Sequence, residues 1–329
     1  MTWLLVALNV GVFAWTYPAY QAADQAIESV LDDDDFVATN GLIFASTLTK
    51  ARKTETPALA ELSRRSIEGN DDARLILGHM ALRQGPFMLE AQRLSRYQTQ
   101  SRPNGKATRG PASLRGDSVK IEKWADTMAK LRIIESVHPS FKLGLSYDRY
   151  EPWRLITYQI AHSGFLHLFW NMVFLLLFGT FIEQTRGWLA VVLTTWLAGV
   201  GGAFAFIGLS GLSASPLVGA SAAVSGLIAL SASHGKRKVP FVFWLLPLKG
   251  YYGVTWLPAW ILVPAFILPD LSGWFSSQPG LSAVAYTAHI GGATIGFLMG
   301  TYFAERPAAF KEIARGVTGV AASSARFGA

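Results

Sequence analysis

The chain has 329 residues, 51% of them hydrophobic and 16% charged. Soluble globular domains carry roughly 25% charged residues, so this composition argues against an ordinary water-soluble protein and for a membrane one. The absence of cysteine rules out disulfides, thiolate catalysis and Cys-based zinc sites, and the net charge of +7 sits largely beside apolar runs, where orientation in a bilayer explains it better than nucleic-acid binding.

Six runs approach the length of about 20 apolar residues that a spanning helix needs. They are Trp3 to about Tyr20, then Leu166–Ile182, Trp188–Leu209, Ser221–Ser233, Trp256–Leu268 and Ala283–Phe303. The first lacks a convincing small-residue cleavage site and reads as a retained helix, not a signal peptide. Between the first two lies a long polar insertion, 21–148, which holds most of the acidic residues. Its stretch Ala58–Gln84 has apolar residues at helical spacing. Ser101–Asp117 is rich in Pro, Gly, Ser and Arg and reads as loose chain. The run Asp32–Asp35 lacks the spacing and glycine of a calcium loop and reads as a solvated acidic turn. His79, His138 and His234 read as surface residues.

Charge in the short loops sets the orientation. Arg186 follows the second helix, "HGKRKVP" (His234–Pro240) the fourth, and Arg306, Lys311, Arg315 and Arg326 the sixth, whereas Ser210–Val218 and Ser272–Leu281 carry no Lys or Arg. Positive residues stay inside, so both chain ends are expected in the cytoplasm and the insertion outside. The second, fourth and sixth helices then run inward from the outer face.

Polar groups cluster at the heads of those three helices: His162, His167 and Asn171 at the second, Ser221 at the fourth, His289 at the sixth. Polar side chains at membrane depth are expensive and mark function. A serine becomes a nucleophile when a histidine takes its proton, and the resulting oxyanion needs preorganised donors. His167 and Asn171, four apart, share a helix face, and the head of the fourth helix offers free N–H groups. The parts of an acyl-transfer site opening outward are therefore present. No acidic residue is expected near His289, and Glu183 falls at the opposite end of its helix, so a Ser-His dyad is expected instead of a triad. Gly292, Gly296 and Gly300 recur once per turn, and Ala222 and Gly226 match them, which would let the fourth and sixth helices approach closely. His162 and His167 lack a third ligand, so no metal is expected. Ser225 reads as a small packing residue. A transporter would show internal repeats, and none is visible.

These residues resemble the rhomboid family of intramembrane serine proteases. "GASA" (Gly219–Ala222) is similar to the family's Gly-x-Ser motif, "AHIGGATIG" (Ala288–Gly296) to its final-helix motif, and "HSGFLHLFWN" (His162–Asn171) to its His-x4-His-x3-Asn pattern. Trp153–Arg154 resembles a Trp-Arg pair in the first outer loop, Glu183 and Gly187 a structural Glu-x3-Gly, and "NVGVF" (Asn9–Phe13) the first-helix text. The resemblance implies Ser221 as nucleophile, His289 as base, His167 and Asn171 at the oxyanion, and His162 in support. Two positions depart from the pattern: Ala222 stands where the family often has Gly, and Ser225 where it often has an aromatic ring beneath the histidine. The implied fold is an all-α, six-transmembrane-helix bundle with a large, partly helical extramembrane insertion. The chain divides into helix 1 (1–20), insertion (21–148), catalytic core (149–304) and cytoplasmic tail (305–329). The implied activity is cleavage of single-span membrane proteins near their outer end, in a multi-pass protein of a cell membrane, without cofactor or metal. Substrate would approach from the lipid between the second and fifth helices. The alternative is a rhomboid-like pseudoprotease that binds membrane helices without cutting them.

Overall fold

The computed structural model describes residues 1–51, 57–100, 111–114, 117–146, 151–209, 215–232, 238–244, 252–276 and 285–304. The basic residues at 306–326, His234 and most of the 101–117 segment lie outside them. The first apolar run belongs to a longer helix than its hydropathy indicates: α1 (Thr2–Leu31) runs for 30 residues. The continuation, "QAADQAIESVL", is polar but rich in helix formers, so the backbone has no reason to stop where the apolar text does. Within α1 the Asn9 amide N–H and the Thr16 hydroxyl donate back to the Leu5 and Val12 carbonyls, each at 2.8 Å, which gives these donors partners inside an apolar run.

The insertion folds into helices α2 (Asp34–Ala51), α3 (Pro57–Ile67), α4 (Asp71–Leu82), α5 (Gly85–Gln100), α6 (Ser118–Val137) and α7 (Pro139–Leu143). The amphipathic stretch Ala58–Gln84 is therefore two helices. They part at Gly69, and Asn70 starts α4 by accepting the Ala73 N–H at 2.8 Å. The insertion has a core of its own, in which Phe36, Val37, Leu77, Trp124 and Met128 are buried together, and Trp124 Nε1 donates to Asn40 Oδ1 at 3.1 Å. The acidic run is a helix start. Asp33 Oδ1 accepts the Phe36 N–H, and Asp35 pairs with Lys123 of α6 at 2.8 Å. That hydrogen bond holds the Asp35 carboxyl below its ordinary range.

His138 is a buried residue, not a surface one. Its Nδ1 accepts the Ser140 N–H at the start of α7, while its Nε2 lies 2.9 Å from Asp24 Oδ1 of α1. Flanking polar residues made it look exposed, but the ring is a helix cap wedged between Tyr20 and Phe141.

After the short α8 (Arg154–Thr157) come α9 (Phe165–Arg186), α10 (Trp188–Leu209) and α11 (Ser221–Ala232). A two-stranded antiparallel hairpin follows, β1 (Lys238–Trp244) and β2 (Tyr252–Pro258), and then α12 (Leu262–Ser276) and α13 (Tyr286–Ala304). The fifth apolar run therefore begins in a strand, and its helix lies further along the chain than Trp256–Leu268. A short apolar run rich in Tyr, Val, Thr and Trp suits either period, so hydropathy alone could not tell strand from helix.

Helices α1, α9 and α10 are each long and apolar enough to cross a membrane, and α11 is a shorter apolar helix. Large apolar side chains such as Leu4, Trp15, Phe165, Trp196, Phe204 and Leu298 stand exposed on the outside of the bundle, a surface that suits lipid better than water. α11 is the centre, packed by α13, α10, α9 and α12. Its side chains Val224, Leu227, Ile228 and Leu230 join Phe13, Leu175, Phe178 and Val191 in the main core.

Candidate active site

The chain leading into α11 is tied down from several sides. Leu217 and Leu145 exchange backbone hydrogen bonds at 2.8 and 3.0 Å, the Gly219 N–H donates to Tyr158 O at 2.8 Å, and the Ala220 N–H points at His162 Nε2, 3.5 Å away. Gly219 has φ +113°, and a Cβ there would lie 2.6 Å from His167 Nε2. Only glycine allows both that backbone conformation and that approach of the imidazole. Ser221 is the first residue of α11. Ten of the helix's 12 residues are buried, and the two that are not are Ser221 and Ser225. Both line a cavity of about 1200 Å³.

His289 of α13 lines the same cavity, and the reason is backbone proximity. A Cβ on Gly292 would lie 2.1 Å from Ala222 O, and one on Gly296 would lie 2.0 Å from Gly226 O. α13 and α11 thus touch main chain to main chain, which small residues alone permit. From the head of α9, His167 and Asn171 complete this wall. Asn171 is buried and spends one amide N–H on His167 O at 2.9 Å. His167 Nδ1 lies 3.1 Å from Ser163 Oγ. If that hydroxyl donates, the ring proton resides on Nε2, beside Gly219. Three helix heads distant in sequence therefore bring Ser, His, His and Asn to one space, and no hydrogen bond joins Ser221 to His289 in this state.

The expectation of no acidic residue near His289 is overturned. Asp270 of α12 places Oδ1 at 2.9 Å from His289 Nδ1. The sequence held a signal for it: Asp270 is the only Asp, Glu, Lys or Arg between Lys249 and Glu305. A charge alone in apolar text calls for a named partner. Ending the fifth helix at Leu268 left Asp270 just outside it.

The other singled-out residues sit around this centre. His162 is fully buried, packed edge-on against His167 with centroids 5.2 Å apart. Arg154 is buried too, donating to the Phe141 and Gly144 carbonyls at 2.8 and 2.6 Å and bonding Glu151, with its guanidinium over the half-exposed Trp153 ring. The pair thus staples the end of the insertion to α8, away from the cavity lining. Glu183 lies at the far end of α9, where it accepts from Thr2 N at 2.9 Å and Thr2 Oγ1 at 2.6 Å, and Gly187 ends the helix. Among the described residues, no group of three or more His, Asp or Glu is placed to hold a metal ion.

Residues 149–306 match the family model of the Rhomboid domain. The chain is 29% identical over 161 residues to RHOMBOID-like protein 1 of Arabidopsis thaliana, covering 48% of this chain and 36% of that one. It is 31% identical over 157 residues to RHOMBOID-like protein 4 of the same organism, covering 48% and 35%. A stretch of 90 residues is 34% identical to the Inactive RHOMBOID-like protein 8 of Arabidopsis thaliana, covering 26% and 25%. The chain spans about a third of the length of the first two relatives. The region similar to the Rhomboid domain takes in α9, α11, α12 and α13, the helices that carry Asn171, Ser221, Asp270 and His289.

Proposed function

We propose that this protein is a rhomboid-type intramembrane serine endopeptidase that cuts single-span membrane proteins near the outer membrane face, with Ser221 as nucleophile and His289 as general base. The observation that carries this reading is the shared cavity: Ser221 and His289 open on one space beside His167 and Asn171. In this reading α1, α9, α10, α11, α12 and α13 are the six spans, and 149–304 is the catalytic core. The start of α1 and the end of α13 face the cytoplasm, and the cavity faces outward. Substrate enters from the lipid between α9 and α12, whose contact runs through Phe266 against Phe174 and Phe178.

The chemistry follows from the groups present. A substrate helix unwinds at the cavity, because a helical peptide bond hides its carbonyl. Ser221 Oγ attacks the carbonyl carbon as His289 Nε2 takes the hydroxyl proton. The second Asn171 amide N–H, the His167 Nε2–H and the Ser221 N–H at the helix head stabilise the oxyanion. The imidazolium then returns its proton to the leaving amine, and water from the outer side releases the acyl group by the same path in reverse.

The test is cleavage of a single-span reporter with a helix-destabilising outer end by protein in liposomes. Ser221→Ala and His289→Ala are each expected to lose roughly 10³-fold or more. Cutting by Ser221→Ala at the wild-type rate would sink the proposal. The match to a relative named as inactive keeps a second reading in view, binding of membrane helices without cleavage. A wild type that neither cuts the reporter nor labels with a fluorophosphonate serine probe would select it.

A further inference from the structure

Asp270 has to be accounted for. A carboxylate in an apolar helix is costly unless a hydrogen-bonded partner meets it, and here the partner is His289 Nδ1 at 2.9 Å, with only 16% of the Asp270 side chain and 19% of the His289 side chain exposed. The helix that brings it is fixed, since α12 packs on both α11 and α13 and Phe266, one turn before Asp270, sits against Phe174 and Phe178. We propose that Asp270 is a positioning residue for His289, forming a third member of the site. The statement rests on the reading of Ser221 and His289 as nucleophile and base.

An ionised carboxylate can only accept, so a 2.9 Å contact requires the proton on Nδ1. With the proton on Nε2, two acceptors would face each other at hydrogen-bond distance. Asp270 thus leaves the Nε2 lone pair free on the cavity side, where Ser221 lies. Ser225, one turn after Ser221 on the same wall, is too small to hold the ring by stacking, so the hydrogen bond is what orients it. When Ser221 attacks, its proton moves to Nε2 and later to the leaving amine. Asp270 keeps accepting the Nδ1–H throughout and stabilises the imidazolium. The other ionisable groups lining the cavity are Tyr20 and Asp24 of α1, His138, His167 and Tyr286, and Asp270 is the one hydrogen-bonded to His289.

Asp270→Asn and Asp270→Glu are measured beside wild type, full chain in liposomes, for kcat, KM, pH profile, serine-probe labelling and melting temperature. Asp270→Asn is expected to lower kcat roughly 10²- to 10⁴-fold with little change in KM, and to label correspondingly slowly. The acid limb of its residual kcat/KM profile is expected to move to lower pH, because a neutral amide no longer favours the imidazolium. Asp270→Glu is expected to recover part of the rate, which a purely structural role would not require. Wild-type kcat with an unmoved acid limb, or a loss confined to KM, overturns the assignment while leaving Ser221 and His289 in place. Should Asp270→Asn fail to fold, Asp270→Ser is read by the same two criteria. A wild type that neither cuts nor labels overturns the underlying reading, and the role of Asp270 with it.

Discussion

At the scale of single residues, the site depends on positions with almost no freedom to change. Gly219 combines φ +113° with an imidazole where its Cβ would be. Gly219→Ala is expected to cost about 1–3 kcal/mol in backbone strain and to push His167 out of line, lowering turnover at least tenfold. Paired melting and cleavage assays check both, and a variant matching wild type in each would show that the loop relaxes without consequence. Ser221 and His289 were legible because each stands in the first turn of an apolar run, a pattern carried entirely by neighbours in sequence. Asp270 was not. At the end of an apolar run a charge resembles the boundary of a helix, and only the placement of α12 against α13 turns it into a partner of His289.

Among the elements, the pairing of α11 with α13 decides whether serine and histidine meet. The two backbones approach so closely that Gly296→Leu has no room: the first atom of the new side chain would fall 2.0 Å from Gly226 O. Overpacking of this kind costs typically about 1–3 kcal/mol and occasionally more, and it should also separate His289 from Ser221. Gly11 of α1 is the control, since it is exposed and has nothing within 4 Å of a Cβ. Gly11→Ala should leave melting unchanged or raise it slightly. Equal effects from the two substitutions would refute the close-contact account. The small-residue periodicity of both helices was readable beforehand, whereas the β1–β2 hairpin and the true start of α12 were not, because a short apolar run satisfies strand and helix alike.

For the whole molecule, the insertion is more than an appendage. It has its own core, and Tyr20, Asp24, His138 and Ser140, at its junction with α1, line the same cavity as Ser221. His138 is the link between the two parts: it pairs with Asp24, caps α7 and packs on Tyr20. His138→Ala leaves the N–H of buried Ser140 without its acceptor and should cost about 1–3 kcal/mol. Hydrogen exchange should then speed up in α7 and the neighbouring part of α1, while amides of the α2–α4 core keep their protection. Uniform acceleration across the insertion would show instead that His138 holds the core together and not the junction.

Composition and local pattern by themselves determined that the chain is a membrane protein, where its apolar helices lie apart from α12, and which serine, histidines and asparagine stand at their heads. These properties are set by the solvent around a segment and by residues a few positions apart. Only the tertiary structure decided that Asp270 meets His289, that His138 is buried, and that the insertion folds on its own core and reaches the cavity. Each of these depends on the rotation and shift of one helix against another, which packing on several sides sets and no single stretch of sequence encodes.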